Sequence, residues 1–348
     1  MTISVNGIPV FDTNRNACVN SLYMERGIAV GSNVSLLTSP MWGESAGYVS
    51  GGTAPGGATT CIEKFSFSST YSSSSVGALT VARSYIASQS SEQSGYNSGG
   101  FAASTYYNTI DKFPFSTNSN AIDVGDLVCS GITTDGVSSI TDGYSGGRYF
   151  PGTPNIRNLI DKFPFASDSN ATCIGSLSTA KEEAGSSSSL THGYFSGGWP
   201  PSLASSGIEK FSFSSGGVAS SIGYLCVCKY AMAGHSSCVS GYISGGANFG
   251  GCGFTPSCTT DWIEKFPFST DSNSVFVGVL SCSRRNSTGI SSSTNGYTAV
   301  GMIISPVNTK LSMVDRFPFA TDSNASCIGS LSARGDSPAG QQVWHIQY

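Results

Sequence analysis

The stretch "IDKFPFASDSNATCIGSL" (Ile160–Leu177) decides the fold, because the chain writes it again and again. "IDKFPFSTNSNAIDVGDL" starts at Ile110, "IEKFPFSTDSNSVFVGVL" at Ile263 and "VDRFPFATDSNASCIGSL" at Val314, with looser copies from Ile62 and Ile208. The first Phe of each copy falls at Phe65, Phe113, Phe163, Phe211, Phe266 and Phe317, at intervals of 48, 50, 48, 55 and 51 residues. Ahead of each copy stands a Gly-Tyr phrase: "GYVSGG" at Gly47, "GYNSGG" at Gly95, "GYSGG" at Gly143, "GYFSGG" at Gly193, "GYISGG" at Gly241 and "GYTAVG" at Gly296. Behind it a Gly stands two residues before a Leu, at Gly77, Gly125, Gly175, Gly223, Gly278 and Gly329. Three markers held in order at a period of about 50 residues announce a propeller, solenoid or array.

The local chemistry is that of strands. "IDKFPF" alternates two sets of side chains at period two, and its Pro excludes a helix interior. "SDSNA" is turn chemistry, since Asp and Asn bond their own backbone and tolerate left-handed dihedrals. The paired Gly closes a strand where the chain turns tightly. Between each Leu and the next Gly-Tyr lies a stretch of small residues, such as "SQSS" from Ser88 and "GSSSS" from Gly185. Each repeat therefore supplies four short strands. The Ser-rich strand is expected innermost, where only small side chains fit around an axis, and the "IDKFPF" strand further out. The "DSN" turns carry oxygens that calcium could use, but hairpin turns explain them more simply.

This organisation resembles the kelch repeat from Gly47 onward, without the Trp that often follows the third kelch strand. The resemblance implies an all-β chain: a six-bladed kelch-like β-propeller of four-stranded blades over residues 41–348, behind an N-terminal extension of residues 1–40. Closing the ring calls for a strand from one terminus. "QQVWHIQY", Gln341–Tyr348, is the expected one, and "GSNVSLL" from Gly31 competes with it.

Composition removes several functions. Charged residues make up 11% of the chain and the net charge is −4, so the basic footprint of a nucleic-acid binder is missing. Hydrophobic residues reach 39%, too many for a disordered linker. No run of 18 apolar residues predicts a spanning helix, and no basic stretch followed by an apolar one predicts a secretory signal. Eleven cysteines are an odd number, and Cys173 and Cys327 sit mid-strand in equivalent copies, which reads as free buried thiols. Cys252 and Cys258 lie in a longer loop and could bridge if oxidised. No CxxC pair exists and the three histidines are scattered, so no metal and no cofactor is expected.

Acid and base recur side by side in each copy, as Glu63/Lys64, Asp111/Lys112, Asp161/Lys162, Glu209/Lys210, Glu264/Lys265 and Asp315/Arg316. They hold 12 of the 38 charged side chains, and an ion pair repeated between blades is the plain reading. The other acids, including Glu182 and Glu183, show no paired motif for glycoside hydrolysis. His192, His235 and His345 offer little for a nucleophilic triad, so no catalytic residue is assigned. "RGD" at Arg334 falls near where Arg83 and Arg284 also follow the Gly-x-Leu strand, and reads as coincidence.

The loops after the Gly pairs vary and carry aromatics: Tyr106 and Tyr107, Tyr149 and Phe150, Trp199, Phe249 and Phe254, with Trp262 closing the longest. Variable aromatic loops on a rigid scaffold are the expected binding surface. The N-terminal "NGIPVFDTNRN" is similar to a segment of bacteriophage tail-fibre and appendage proteins, on Val10, Asp12, Arg15 and Asn16 among others. "KFPFA-x-DSNA" and "HGY-x-SGG" also look like repeats of cyanophage structural proteins. These resemblances imply a non-enzymatic virion component: a tail fibre, appendage or capsid decoration assembled in the host cytoplasm. It would be anchored to other virion proteins by its N-terminus, present a host-surface glycan or protein with a binding face, and be compatible with homo-oligomers. A cellular kelch-type interaction module and a polysaccharide hydrolase are the alternatives.

Overall fold

The computed structural model describes residues 3–5, 8–11, 45–68, 71–133, 136–152, 155–200, 204–248, 258–304 and 308–342. Among them every regular element is a strand, giving an all-β, propeller-like molecule. Each repeat is one antiparallel unit of four strands, and the units are numbered 1 to 6 along the chain. Unit 2 shows the plan: Ala87–Ser90, Ser94–Ser98, Thr109–Pro114 and Ile122–Asp126 pair in that order from inside to outside. In unit 1 the innermost strand is Ala339–Gln342 from the far end of the chain, paired with Ala46–Ser50. The C-terminal segment thus closes on the first unit, beginning two residues before the expected stretch. Residues 343–348 and the rival segment from Gly31 lie outside the described residues. Ile3–Val5 and Ile8–Phe11 form a separate hairpin that includes Val10.

Aromatic rings join each unit to the next. The Tyr of one Gly-Tyr phrase lies against both Phe rings of the following "FPF" or "FSF" triplet. Tyr96 is 5.6 Å from Phe163 and 4.7 Å from Phe165, centroid to centroid, and Tyr194 is 5.6 Å from Phe266 and 4.7 Å from Phe268. The same triad forms six times, and the last, Tyr297 with Phe65 and Phe67, links unit 6 to unit 1. The Gly before each Tyr makes room for its own unit's Phe. A Cβ on Gly241 would meet the tip of Phe266 at 2.4 Å, which no real contact tolerates.

Around the axis the inner strands bond through side chains. Ser90 N–H donates to Ser138 Oγ at 3.0 Å, Ser138 to Ser188 at 3.1 Å, Ser188 to Ser236 at 2.9 Å and Ser236 to Ser291 at 3.0 Å. Ser291 N–H then donates to Gln342 Oε1 at 3.4 Å, and Gln342 N–H returns to Ser90 Oγ at 3.2 Å. This belt needs short side chains on an unpaired strand edge, which is why the segment is written in Ser and Gly. Behind it His235 is fully buried, its Nδ1 facing the Ile290 carbonyl at 3.3 Å and its Nε2 facing Ser244 Oγ at 2.9 Å. Burial pushes the His235 imidazole down to about 4.

The repeated acid and base do not pair with each other. The acid turns inward, is buried in all six units, and accepts the N–H of the residue after the preceding unit's Leu, as in Ser178 to Glu209 at 2.7 Å. In four units a buried cation four residues after that Leu completes the contact: Arg83 with Asp111, Lys181 with Glu209, Lys229 with Glu264 and Arg284 with Asp315. The second Gly of the pair gives that cation space. A Cβ on Gly100 would sit 2.8 Å from the Ser84 carbonyl oxygen and 3.3 Å from Arg83 Cδ, and one on Gly301 2.8 Å from the Arg285 carbonyl oxygen and 3.3 Å from Arg284 Cδ. Unit 3 inverts the arrangement. Arg148 stands where the second Gly would be and reaches Asp161 at 2.7 Å, while the cation position is Gly131. A Cβ on Gly131 would lie 2.6 Å from the Tyr149 carbonyl oxygen and 3.4 Å from Arg148 Cβ and Cδ. In unit 1 Ser332 donates to Glu63 through both its N–H and its hydroxyl.

The repeated base reaches outward across the unit boundary. Lys112, Lys210 and Lys265 meet Asp168, Asp271 and Asp322 of the next unit's "DSN" turn at 2.9, 2.5 and 3.1 Å. These pairs are partly solvated and contribute about 0–1 kcal/mol each. The inter-unit ion pair of the sequence reading thus exists at three boundaries, with a different acid from the adjacent one. The Asn of the same turn is a clamp: Asn120, Asn170, Asn273 and Asn324 each accept an N–H of the preceding unit's outer strand, at 3.0–3.1 Å. Units 1 and 4 lack this Asn. There a two-residue parallel pairing replaces it, Gly329–Ser330 with Tyr71–Ser72 and Gly175–Ser176 with Gly217–Val218.

Two cysteine expectations change. Cys173 and Cys327 are exposed, because the Gly-x-Leu strand is the outermost one. Cys258 is a free thiol, while Cys228 is the described cysteine engaged in a disulfide.

Two outcomes follow. Arg148→Gly leaves Asp161 buried without its cation and costs about 3–5 kcal/mol. Adding Gly131→Arg does not restore that loss in urea unfolding, because a Cβ on Gly131 meets the Tyr149 carbonyl oxygen at 2.6 Å whether or not Arg148 is present. His235 has a folded pKa below its unfolded value, so its contribution to stability is full above about pH 6.5 and is lost as pH falls toward about 4. Relative to a His235→Gln chain, the parent loses about 3 kcal/mol across that window.

Candidate functional site

The loops after the Gly pairs and the links between units share one end of the molecule. Each residue after a Gly pair bridges to a link residue: Phe101 to Ser84, Trp199 to Glu182, Ala247 to Tyr230, Met302 to Arg285 and Thr53 to Asp336. In unit 3 Ile132 pairs with Tyr149. At this end the structure gathers part of the expected aromatic set. Tyr106 lies 4.8 Å from Phe101, 6.1 Å from Tyr149 and 5.5 Å from Phe150, all half-buried. Tyr107 serves through its backbone, donating to Gly100 O and accepting from Gly131 N. Trp199 packs edge-on against Tyr230 at 4.8 Å, in a separate cluster with Ala204, Ala231, Ala247 and Ile304. Trp262 belongs to neither group: it meets Phe276 of unit 5's outer strand at 5.4 Å. Phe249 and Phe254 lie outside the described residues, as do Asp12, Arg15 and Asn16.

Nearer the axis is a ring that the sequence reading passed over. The residue six positions after the Leu has a left-handed backbone in five units: Tyr85 (φ 55°), Glu183 (52°), Ala231 (56°), Asn286 (54°) and Ser337 (53°). That conformation is uncommon outside Gly and Asn. It turns four of the five N–H groups toward the equivalent carbonyl of a neighbouring unit. Ala231 donates to Glu183 O at 2.8 Å, Asn286 to Ala231 O at 2.8 Å, Ser337 to Asn286 O at 2.7 Å and Tyr85 to Ser337 O at 2.9 Å. The five side chains line a shallow axial pit. Beside it, between units 1, 2 and 6, opens a cavity of about 470 Å³ whose lining includes Tyr85, Phe101, Arg285, Asn286, Met302 and Asp336.

The charges here are few and perturbed. Burial, reinforced by Glu183, pushes the Glu182 carboxyl up to about 8. Burial pushes Glu183 up to about 7, against the pull of Arg285. Asp336 is also raised by burial, although Lys310 Nζ lies 3.8 Å away. Arg285 Nη1 donates to the Tyr230 hydroxyl at 2.9 Å, and its guanidinium lies 6.0 Å over the Tyr230 ring. Carboxyls that titrate near neutrality can donate as well as accept, so this end offers both kinds of hydrogen bond around a fixed cation. Such perturbation collects at functional sites. The signal was present in the repeat: five and six residues after the Leu the copies share geometry but differ in chemistry.

Raised acids bind protons in the folded state, so their burden on stability is absent near pH 4.5 and complete above about pH 8. The double variant Glu182→Gln/Glu183→Gln is therefore more stable than the parent by about 2–4 kcal/mol at pH 9 and equal to it at pH 4.5, measured by denaturant melts.

Comparison with known proteins bears on the fold. No protein-family model matches the chain, and no curated protein matches it. Among solved structures, that of YjhT superposes with a TM-score of 0.61 at 12% identity, covering 79% of this chain and 95% of that one. At that identity the likeness speaks for a shared all-β, propeller-like architecture and for nothing further.

Proposed function

We propose that the chain is a six-bladed kelch-like β-propeller acting as a non-enzymatic binding module, with the loop-bearing end as its docking face. The observation that carries this is the segregation of variation. Residues at unit boundaries repeat, while those at the loop-bearing end differ from copy to copy and place Phe101, Tyr106, Tyr149 and Phe150 in one half-exposed group. Aromatic side chains give large contact area at low entropic cost and are enriched where proteins bind. The phage-like N-terminal phrase and repeats support placing the module on a virion, as a tail fibre, appendage or decoration. Its partners would be other virion proteins at the N-terminus and a host-surface glycan or protein at the loops.

The test is attachment. Purified Tyr106→Ala/Tyr149→Ala protein binds host cells or protein-depleted particles at least about tenfold more weakly than the parent, with an unchanged melting temperature. Equal attachment would remove the loop face from consideration, and absence of the protein from purified particles would remove the virion role. A second reading rests on the adjacent Glu182 and Glu183 at this end, whose carboxyls burial raises to about 8 and about 7, the range in which a general acid operates. Release of reducing sugar from host polysaccharide, lost in Glu182→Gln, would establish it.

A further inference from the structure

We propose that the cavity between units 1, 2 and 6 is a binding site for a single neutral sugar ring, the terminal residue of a glycan. This rests on the reading that the loop-bearing end is the binding end. At about 470 Å³ the cavity lies in the range, about 300–1,000 Å³, where small-molecule sites occur. Its chemistry narrows the class of ligand. The charged residues lining it are one cation, Arg285, and one acid, Asp336, so it offers no excess of positive charge for phosphates. Among the described residues no group of three His, Cys, Asp or Glu could hold a metal ion. The lining is mostly apolar, with Ser84, Asn286, Arg285 and Asp336 as polar points that a wholly aliphatic chain would leave unpaired. A neutral ring bearing several hydroxyls needs donors, acceptors and an apolar plane together. Arg285 and Asn286 supply donors, Asp336 and Asn286 supply acceptors, and Tyr85 and Phe101 supply rings.

Two features mark the cavity as built for a ligand. Arg285 Nε is buried and makes no hydrogen bond, a state it shares with the Nε of Arg83, Arg148, Arg157 and Arg284, and of these five arginines it is the one that lines the cavity. The hairpin tip beside it holds Ala103 and Ser104 at φ 46° and 67°, positions that usually take Gly or Asn. Strain of this kind persists where the surrounding structure over-determines it, and it clusters at ligand sites.

Saturation-transfer NMR of the full chain with methyl glycosides of glucose, galactose, mannose and N-acetylglucosamine, and with glucuronic acid, tests the site. At least one neutral glycoside is expected to receive saturation and to shift the Arg285 Nε–H resonance of the unaltered protein. Asn286→Gly, which keeps the left-handed backbone, and Arg285→Met raise its dissociation constant about tenfold or more. Trp262→Ala, away from the cavity, leaves it unchanged. Transfer to no neutral glycoside, transfer only to the acidic sugar, or binding that survives both cavity variants would overturn the proposal. If the parent binds no sugar yet loses attachment in Tyr106→Ala/Tyr149→Ala, the sugar site falls while the docking face stands.

Discussion

Every unit of this protein depends on a wedge supplied by its neighbour. The Tyr of one Gly-Tyr phrase fits beside the two Phe rings of the next unit, and Gly sits where any Cβ would collide with the first ring. A lone unit would expose those rings, and a four-stranded sheet of this length has no second layer to cover them. Burying Phe costs about 3–5 kcal/mol to undo, so the wedge outweighs the solvated Lys–Asp pairs beside it. It also fixes the neighbours' spacing, and so brings the inner strands near enough for the serine belt. The belt is a consequence of the wedge rather than its rival: it satisfies strand edges that the packing has already driven together.

A second constraint comes from the charge placed behind the wedge. A buried carboxylate in each unit ties down the link arriving from the unit before, through the same backbone N–H in all six cases. The cation that accompanies it is free to come from either side, provided a Gly faces it. Units 2 and 3 are the two solutions to one steric equation. Because the links are held this firmly, the residues just beyond them can take left-handed conformations and unfavourable charges without loosening the axis. The mouth is variable because the collar beneath it is not.

The scaffold was largely legible in the sequence. Period, strand order, inner position of the Ser-rich segment and use of the C-terminus all follow from residue types whose roles are steric and recur six times. The charges were harder. Asp161 and Lys162 are adjacent, yet adjacency in a strand sends them to opposite faces, so each found its partner elsewhere. Trp262 and Tyr106 look alike as loop aromatics, but one is folded back onto an outer strand and the other joins a cluster. Glu182 and Glu183 were unreadable as a site because their neighbours, Tyr230 and Arg285, are supplied by other units. Chemistry that depends on a single copy leaves no periodic trace.

The missing clamps in units 1 and 4 have a consequence for how the ring is assembled. These units stand three apart, and each joins its predecessor by the same short parallel pairing in place of an Asn and a Lys–Asp pair. One of these seams joins the last unit to the first. The other is continuous in sequence yet built in the same way. Two boundaries, between units 3 and 4 and between units 6 and 1, therefore share one kind of edge contact, in which backbone pairing stands where a side-chain clamp stands elsewhere. The covalent link between units 3 and 4 supplies proximity rather than a distinct kind of contact.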